Sequence, residues 1–139
     1  MVQAMERVEG MSHVLEFDSK SKIIRVTVDG ELKDEGASEL YWSVNSFLAS
    51  HEVHGGILDL SPVTSLAVSL DAVRRLAKNP PLFKEPTVRV IIASSDLIFG
   101  MARLFQISRS EIHSDLHVVR SLEEAYEIHG LVEPKFEAV

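Results

Sequence analysis

The chain contains no cysteine among its 139 residues. This absence excludes thiol nucleophiles, disulfide frameworks and cysteine-liganded zinc. A domain of this length buries roughly 70% of the surface that its unfolded chain exposes, so it can fold without covalent or metal cross-links. The lack of cysteine fits a reducing compartment, and we expect a cytoplasmic protein.

Basic residues are fewer than acidic ones, with 14 Lys and Arg against 21 Asp and Glu and a net charge of −7. A negative surface repels the phosphates of nucleic acids and anionic lipid head groups. The short basic turn that contains Arg74, Arg75 and Lys78 is surrounded by acidic residues. The sequence therefore predicts no nucleic-acid binding.

Long apolar runs are also missing. No stretch approaches the ~20 apolar residues of a membrane-spanning helix, and we predict no membrane insertion. The charged residues 1–7 lack the apolar core of a signal peptide. We expect residues 1–12 to be a flexible lead-in, residues 13–131 to form one domain, and residues 132–139 to be a tail without regular structure.

Hydrophobic periodicity divides residues 13–131 into strands and helices. Two β-branched runs separated by a four-residue turn predict an antiparallel hairpin. Stretches with helical spacing then alternate with three more apolar runs. The predicted strands cover residues 13–17, 22–28, 56–61, 87–93 and 115–120, and the predicted helices begin near residues 34, 69, 94 and 121.

This β-β-α-β-α-β-α-β-α order predicts an α/β fold, a single domain with a mixed five-stranded sheet covered by four helices. Strands that alternate with helices need crossover connections, so most neighbouring strands should be parallel. The third strand is almost continuously apolar and should be buried on both faces. The helix after it begins on Ser69, which places a hydroxyl group where anions are favoured.

Three segments carry a family resemblance. They are residues 58–63 (LDLSPV), residues 95–106 of the third helix (SDLIFGMARLFQ) and residues 121–125 at the last helix (SLEEA). With the element order, they resemble the STAS domain of sulfate transporters and anti-sigma factor antagonists. The greatest similarity is to the bacterial stage II sporulation protein AA-like group, which is related in fold description to SEC14/CRAL-TRIO lipid-binding domains.

The resemblance implies a non-catalytic regulatory module. Members of that group carry Asp-Ser-Ser-Gly-Leu after this strand and are phosphorylated on the second serine. Without gaps, that segment falls on residues 67–71, where only Ser69 matches. Ser69 is therefore the candidate phosphorylation site. The alternative is that Ser69 only caps its helix, a role worth about 1 kcal/mol.

Two helices carry aromatic residues away from their apolar faces. In the third helix, Phe99 and Ile107 lie outside the predicted inward-facing stripe. In the first helix, Trp42 lies away from the apolar face of that helix. The predicted stripe consists of Leu97, Ile98, Met101, Ala102, Leu104 and Phe105.

Aromatic and arginine side chains dominate protein interfaces, and a glycine permits close approach. We therefore predict docking of a protein partner, or of a second copy in a homodimer. The contacts would come from the third helix and the loops after the third and fourth strands. The alternative is that other parts of the chain cover these side chains. The candidate interaction residues are Trp42, Phe99, Gly100, Arg103 and Gln106.

Two other functions are open. The SEC14 resemblance suggests that an apolar small molecule or lipid binds in a cleft lined by Phe99, Met101 and Phe105. An enzyme would need convergent groups with shifted pKa values. The sequence offers no catalytic triad, P-loop or dinucleotide fingerprint, so we predict no catalysis and no cofactor.

The histidines do not form a predicted metal site. His51 and His54 span the end of a helix, and His113 and His117 would lie ~13 Å apart along a strand. That separation is too large for one zinc ion with ligands at ~2 Å. At the end of the third strand, Asp59 is expected to accept a backbone N–H bond from the following loop.

Overall fold

The computed structural model describes residues 7–8, 10–79, 83, 87–109 and 115–139. The described residues form the helices α1 (Asp34–Ser50), α2 (Leu70–Lys78), α3 (Asp96–Arg109) and α4 (Leu122–His129). They also form the strands β1 (Arg7–Val8), β2 (Met11–Asp18), β3 (Ile23–Lys33), β4 (Gly55–Asp59), β5 (Val63–Ala67), β6 (Val88–Ile92), β7 (Leu116–Val119) and β8 (Glu137–Ala138).

These strands form one mixed sheet with the order β1-β2-β3-β4-β6-β7, in which β5 pairs with β3 and β8 pairs with β2. The β2–β3 hairpin is antiparallel, whereas β3, β4, β6 and β7 are parallel neighbours. The five predicted strands correspond to β2, β3, β4, β6 and β7. The predicted mixed sheet and its covering helices are therefore confirmed.

The strand count differs from the prediction because three short strands join the sheet. One of them, β5, lies in the segment predicted to be a loop. Gly30 has a φ of +94° at a register shift in β3, where the strand leaves β4 and continues along β5. A glycine at positive φ permits this bulge and bend. The pairing is set by the tertiary fold, since β5 itself has no two-residue alternation of apolar side chains.

Both ends of the chain contribute to the sheet. β2 begins at Met11, inside the segment expected to be a lead-in, and β1 pairs with it. The expectation that residues 132–139 have no regular structure was wrong, since β8 pairs with β2. The Phe136 ring lies 4.4 Å from the Arg25 guanidinium and stacks 6.0 Å from Tyr126. These contacts join residues far apart in the sequence, so local patterns did not predict them.

The helices cover the sheet unequally. α1, α2 and α3 lie on one face, where their apolar side chains pack against β3, β4 and β6. The opposite face carries α4 and the C-terminal tail, with Ala125 and Phe136 in its core. Successive strand residues point to opposite faces, so the same strands supply both cores.

α4 has both predicted terminal signals. The Ser121 hydroxyl accepts a bond from the backbone N–H of Glu124 at 3.2 Å, and the Glu124 carboxylate accepts one from the backbone N–H of Arg120 at 3.0 Å. Gly130 ends the helix in the left-handed conformation with a φ of +66°. The predicted serine N-cap and glycine C-cap are therefore confirmed, while Glu124 bonds the backbone of the residue before the N-cap and not that of the N-cap itself, as a capping box would require.

Candidate functional site

The start of α2 is linked to the start of α1 through Ser69. The Ser69 hydroxyl accepts a bond from the backbone N–H of Ala72 at 3.0 Å and donates to Asp34 Oδ2 at 3.1 Å. The backbone N–H of Ser69 donates to Asp34 Oδ1 at 2.9 Å. The predicted helix cap is therefore confirmed. Sequence analysis missed Asp34, because β5 must first pair with β3 to bring the two helix starts together.

The loop after β4 is shaped by Asp59. Its Oδ1 atom accepts a bond from the backbone N–H of Ser61 at 2.9 Å, as the sequence predicted. Ser61 is exposed, and so are Ser94 and Ser95 after β6. Since β4 and β6 are parallel neighbours, these two loops leave the sheet at the same edge as the start of α3.

The outer face of α3, defined here by Leu97, Gly100, Arg103 and Ile107, is exposed to solvent. The exposed fractions of Leu97 and Ile107 are 63% and 65%. A Cβ atom added at Gly100 would meet nothing within 4 Å. The helical spacing of these four residues places them on one side of α3.

The buried side of α3 agrees in part with the predicted stripe. Ile98 and Ala102 are buried as predicted, whereas Leu97, which was predicted to face inward, is 63% exposed. Arg109 is also buried, at 8% exposed, although a charged side chain is expected to face solvent. Sequence analysis therefore missed the burial of Arg109.

Two of the candidate interaction residues are bound within the protein. The half-buried Phe99 ring lies 4.0 Å below the guanidinium of Arg120, which also pairs with Asp96 at 2.8 Å. Gln106 Nε2 donates to the Leu116 carbonyl of β7 at 2.6 Å, and Gln106 Oε1 accepts from Arg103 at 2.6 Å. For Phe99 and Gln106, the structure therefore agrees with the alternative that other parts of the chain cover these side chains, here β7 and the residue after it.

Trp42 belongs to α1 and is therefore not part of the outer face of α3. Its side chain is 58% exposed. Its ring makes an edge-to-face contact with Tyr41, with the ring centroids 5.0 Å apart. The predicted exposure of Trp42 is correct. Tyr41 in turn lines a cavity inside the domain.

This cavity has a volume of about 250 Å³ and lies between the sheet and helices α1, α2 and α3. Met101 and Phe105 of the predicted cleft line it, while Phe99 is not among the described lining residues. Most of the lining is aliphatic. The sheet contributes Ile24, Val26, Leu58, Ile91 and Leu116, and the helices contribute Leu40, Val44, Val73, Leu76, Ile98 and Ala102.

Two arginines lie at one end of the cavity. Arg89 is in register with Gly56 and Leu116, near the starting ends of the parallel strands. Arg109 ends α3, which runs back to that same end because it connects β6 to its parallel neighbour β7. Sequence analysis did not identify either residue. The position of Arg89 within an apolar strand was the available signal.

Arg109 is also tied to the last turn of α2. Its Nη1 atom donates to the carbonyl oxygens of Ala77 and Asn79, each at 3.2 Å. The carbonyls at the end of a helix carry partial negative charge, so they favour a buried guanidinium there. This contact holds the arginine at the edge of the cavity.

This cavity is open to solvent over part of its boundary. An apolar ligand that filled it would cover apolar lining surface, and the removal of that surface from water would favour binding.

The described residues bring together no three His, Asp or Glu side chains that could hold a metal ion. The His51 ring stacks on Phe47 with centroids 3.9 Å apart, and His54 Nε2 lies 3.0 Å from Glu52. That hydrogen bond lowers the pKa of the Glu52 carboxyl. His113 lies outside the described residues, so its predicted relation to His117 is not described.

Comparison with known proteins identifies the fold. No protein-family profile matches the chain, and no curated protein matches it. Among solved structures, it is similar to an anti-sigma factor antagonist from Mycobacterium paratuberculosis, with a TM-score of 0.64 and 16% identity. The match covers 91% of this chain and 100% of that one. The chain has the STAS fold.

This finding confirms at the level of the fold the resemblance carried by residues 58–63, 95–106 and 121–125. At this low identity it does not extend to an activity. Within the described ranges, no helix is both long enough and apolar enough to cross a bilayer.

Proposed function

We propose that the chain is a non-catalytic, cytoplasmic regulatory module that binds a protein partner or a second copy of itself. The docking surface is the outer face of α3 together with the loops after β4 and β6. The exposure of Leu97 and Ile107 carries this proposal, because large apolar side chains clustered at a surface are typical of interaction sites. The solved structure with the same fold is described as an anti-sigma factor antagonist, which supports a protein partner.

Charged groups surround the apolar part of this surface. Arg103 lies on the outer face itself, and the exposed pair of Arg120 and Asp96 lies beside the first turn of α3. An apolar centre with a polar rim is the usual organisation of a protein interface. Trp42 is a further candidate contact on α1, since an exposed tryptophan is a frequent hot-spot residue.

Site-specific photo-crosslinking in the native host tests the docking surface. A photoreactive phenylalanine analogue at position 107 should crosslink to one defined protein or to a second copy of the chain. The same analogue at Val132, which is 86% exposed in the tail, is the control. Crosslinks of equal strength at both positions, or none at position 107, would overturn the proposal.

Sedimentation velocity tests the contribution of individual side chains to self-association. If the partner is a second copy, Ile107→Glu should weaken the dimer by at least about ten-fold, because a charge would be buried in the interface. Trp42→Ala should weaken it less, and Val132→Glu should have no effect. A dimer that is unchanged by Ile107→Glu would exclude self-association through α3.

Phosphorylation of Ser69 is the proposed means of regulation. A phosphate would add about −1.5 to −2 charges beside the Asp34 carboxylate, and the resulting repulsion would break the link between the starts of α1 and α2. The hydroxyl lies 3.1 Å from Asp34 Oδ2 and belongs to an exposed residue. Mass spectrometry of the protein from its host should detect the modified Ser69 peptide, and its absence under all growth conditions would remove this proposal.

Binding of an apolar small molecule is the second candidate function, and the cavity of about 250 Å³ supports it. A carrier of this kind should retain a ligand during purification. Native mass spectrometry would then show an added mass that disappears on denaturation. A bare protein that also binds no added amphiphile would exclude this function, whereas the docking function would be unaffected.

A further inference from the structure

We propose that the exposed side of α2 and α3 binds an acidic segment of a different protein. The inference rests on the proposed docking function, extends its surface from α3 to α2, and specifies the chemistry of the partner. It is carried by the distribution of charge along the chain, the arrangement of the two helices and the apolar side chains exposed on them.

Positive charge is concentrated in one part of this acidic chain. Residues 70–114 contain seven Lys and Arg against four Asp and Glu, a net charge of +3. Since the whole chain has a net charge of −7, the remaining residues together carry −10. The field outside a protein sums all of its charges. The part of the molecule formed by residues 70–114 should therefore attract anionic groups that the rest repels.

α2 and α3 lie side by side on one face of the sheet. Each leads from the end of one strand to the start of a parallel strand, so the two helices run in the same direction. Their last turns are joined by the bonds from Arg109 to the carbonyl oxygens of Ala77 and Asn79. Because both helices turn their buried positions toward the sheet, their exposed sides form one continuous surface.

This α2–α3 surface is defined here as the outer face of α3 together with the exposed residues of α2, which are Leu70, Asp71, Arg74, Arg75 and Lys78. Among these residues, the one acidic side chain is that of Asp71, which lies 3.7 Å from Arg74. On α3, Arg103 donates to the neutral amide of Gln106, and this bond leaves its charge in place. The surface therefore has a surplus of positive charge.

Exposed apolar side chains lie among these basic residues. Leu70 is 51% exposed in the first turn of α2, and the exposed Leu97 belongs to the first turn of α3. Removal of these side chains from water would stabilise a complex, whereas the charges would select the partner and its orientation. The combination predicts a partner segment that presents acidic side chains beside apolar ones.

A protein segment fits this surface better than a nucleic acid or a membrane does. Nucleic acids are bound largely through phosphate contacts, which exposed leucine and isoleucine side chains do not supply. An anionic bilayer is wider than the surface and would also face the acidic remainder of the chain. A second copy docked through the same surface would bring like charges together. A segment of a different protein can contact the basic surface alone.

Localised crosslinks test the chemistry of the partner. A photoreactive phenylalanine analogue at position 97, introduced in the native host, should crosslink to a protein, and mass spectrometry then identifies the crosslinked segment. We expect this segment to contain more Asp and Glu than Lys and Arg. A neutral or basic segment, or a crosslink to a second copy of this chain, would overturn the inference and leave the docking function intact.

Charge reversal tests whether the basic residues attract that segment. Arg75→Glu should weaken binding of the identified partner at least about ten-fold, because it places like charges together. Lys20→Glu makes the same change of charge at an exposed position of the β2–β3 turn and should leave binding unchanged. Both positions are exposed, so we expect both proteins to fold, which circular dichroism verifies. Equal affinity of the wild-type and Arg75→Glu proteins would overturn the inference.

Salt dependence separates charge attraction from a structural effect of the substitution. For the wild-type protein, the dissociation constant should rise at least about ten-fold between about 50 and about 500 mM NaCl, since salt screens exposed charges. A lysine in place of an acidic residue of the partner segment should restore binding to the Arg75→Glu protein. An affinity that does not respond to salt would show that apolar contacts alone hold the complex, contrary to the inference.

The remaining outcomes separate this inference from the function on which it rests. Phosphatidylglycerol vesicles and a double-stranded DNA oligonucleotide are probes for the other anionic classes, and neither should bind the wild-type protein at about 150 mM NaCl. Binding of either probe that is lost in the Arg75→Glu protein would assign the surface to that class and overturn a protein partner. The absence of crosslinks at both position 97 and position 107 would overturn the docking function and the inference together.

Discussion

The two faces of the sheet are packed differently, although the same strands supply both. On the α4 face, Ile57, Val90 and Ile92 are at most 2% exposed, and Ala125 is completely buried against them. On the face covered by α1, α2 and α3, a cavity of about 250 Å³ remains. The strands alone therefore do not determine the packing. How closely each face is packed also depends on the elements that cover it.

Neighbouring glycines of β4 are approached closely, one on each face of the sheet. A Cβ atom at Gly55 would collide with side-chain atoms of Ile23 and His129, so the glycine lets the end of α4 lie close to the strand. At Gly56, on the other face, a Cβ atom would come nearest to the ring tip of Phe83 at 3.0 Å. Both glycines therefore allow a close approach, by Ile23 and His129 on one face and by the Phe83 ring on the other.

A matched pair of substitutions should have the largest effect. Ala125→Leu should lower the free energy of unfolding by about 1–3 kcal/mol, because its surroundings have no room for a larger side chain. Ala102→Leu should be neutral or stabilise by up to about 2 kcal/mol, because it fills empty volume. Urea denaturation of both proteins measures the difference. Equal destabilisation by the two changes would mean that the faces are packed alike.

The next comparison concerns the helix caps, Ser69 on the cavity face and Ser121 on the packed face. Each accepts a bond from the third residue after it, so replacement with alanine should cost about 1 kcal/mol in either helix. For Ser69→Ala, we expect hydrogen exchange to accelerate roughly five-fold within α2, since a loosely supported helix opens locally.

For Ser121→Ala, the same loss should appear as a lower global stability, because α4 is held by the packed core. Hydrogen exchange measured by mass spectrometry distinguishes the two responses. Local opening of α4 in the Ser121→Ala protein, without a change in global stability, would contradict the comparison.

The smallest expected effect is a dependence on pH that is confined to the packed face. Burial lowers the pKa of His129, although its Nε2 atom donates to the Gly56 carbonyl at 3.0 Å. The neutral imidazole is therefore favoured in the folded protein. As the pH falls below about 6.5, the unfolded state gains a proton first, and stability decreases.

Urea midpoints at about pH 7.5 and about pH 5.5 test this dependence. His129→Gln should reduce the difference between the two midpoints, whereas His54→Gln, at an exposed position, should not. An unchanged pH dependence in the His129→Gln protein would show that His129 is not its source.

Much of the fold could be predicted from local patterns. Periodicity located the hairpin, the three parallel strands and the four helices, because burial of one face imposes a repeat of two or 3.6 residues. The caps Ser69, Ser121 and Gly130 were also predictable, since a cap acts within a few residues of its helix. The exposure of Trp42 followed from its position relative to the apolar face of α1.

The candidate site was less predictable. Phe99 lies under Arg120, and Gln106 bonds a carbonyl of β7, so both depend on a strand that follows α3 in the chain. Arg109 is buried because the carbonyls at the end of α2 accept its hydrogen bonds. Helical periodicity does not include these partners, and it therefore did not predict the burial of Arg109 or the contacts that cover Phe99 and Gln106.

The sequence by itself determined where most helices and strands begin and end and which residues cap the helices, since these properties depend on neighbours within a few positions. Only the tertiary structure decided that β5 and β8 join the sheet and that Asp34 reaches Ser69. It also decided that a partly open apolar cavity lies between one face of the sheet and helices α1, α2 and α3. These features arise where distant segments meet, and the volume left between them depends on the relative positions of the sheet and its covering helices.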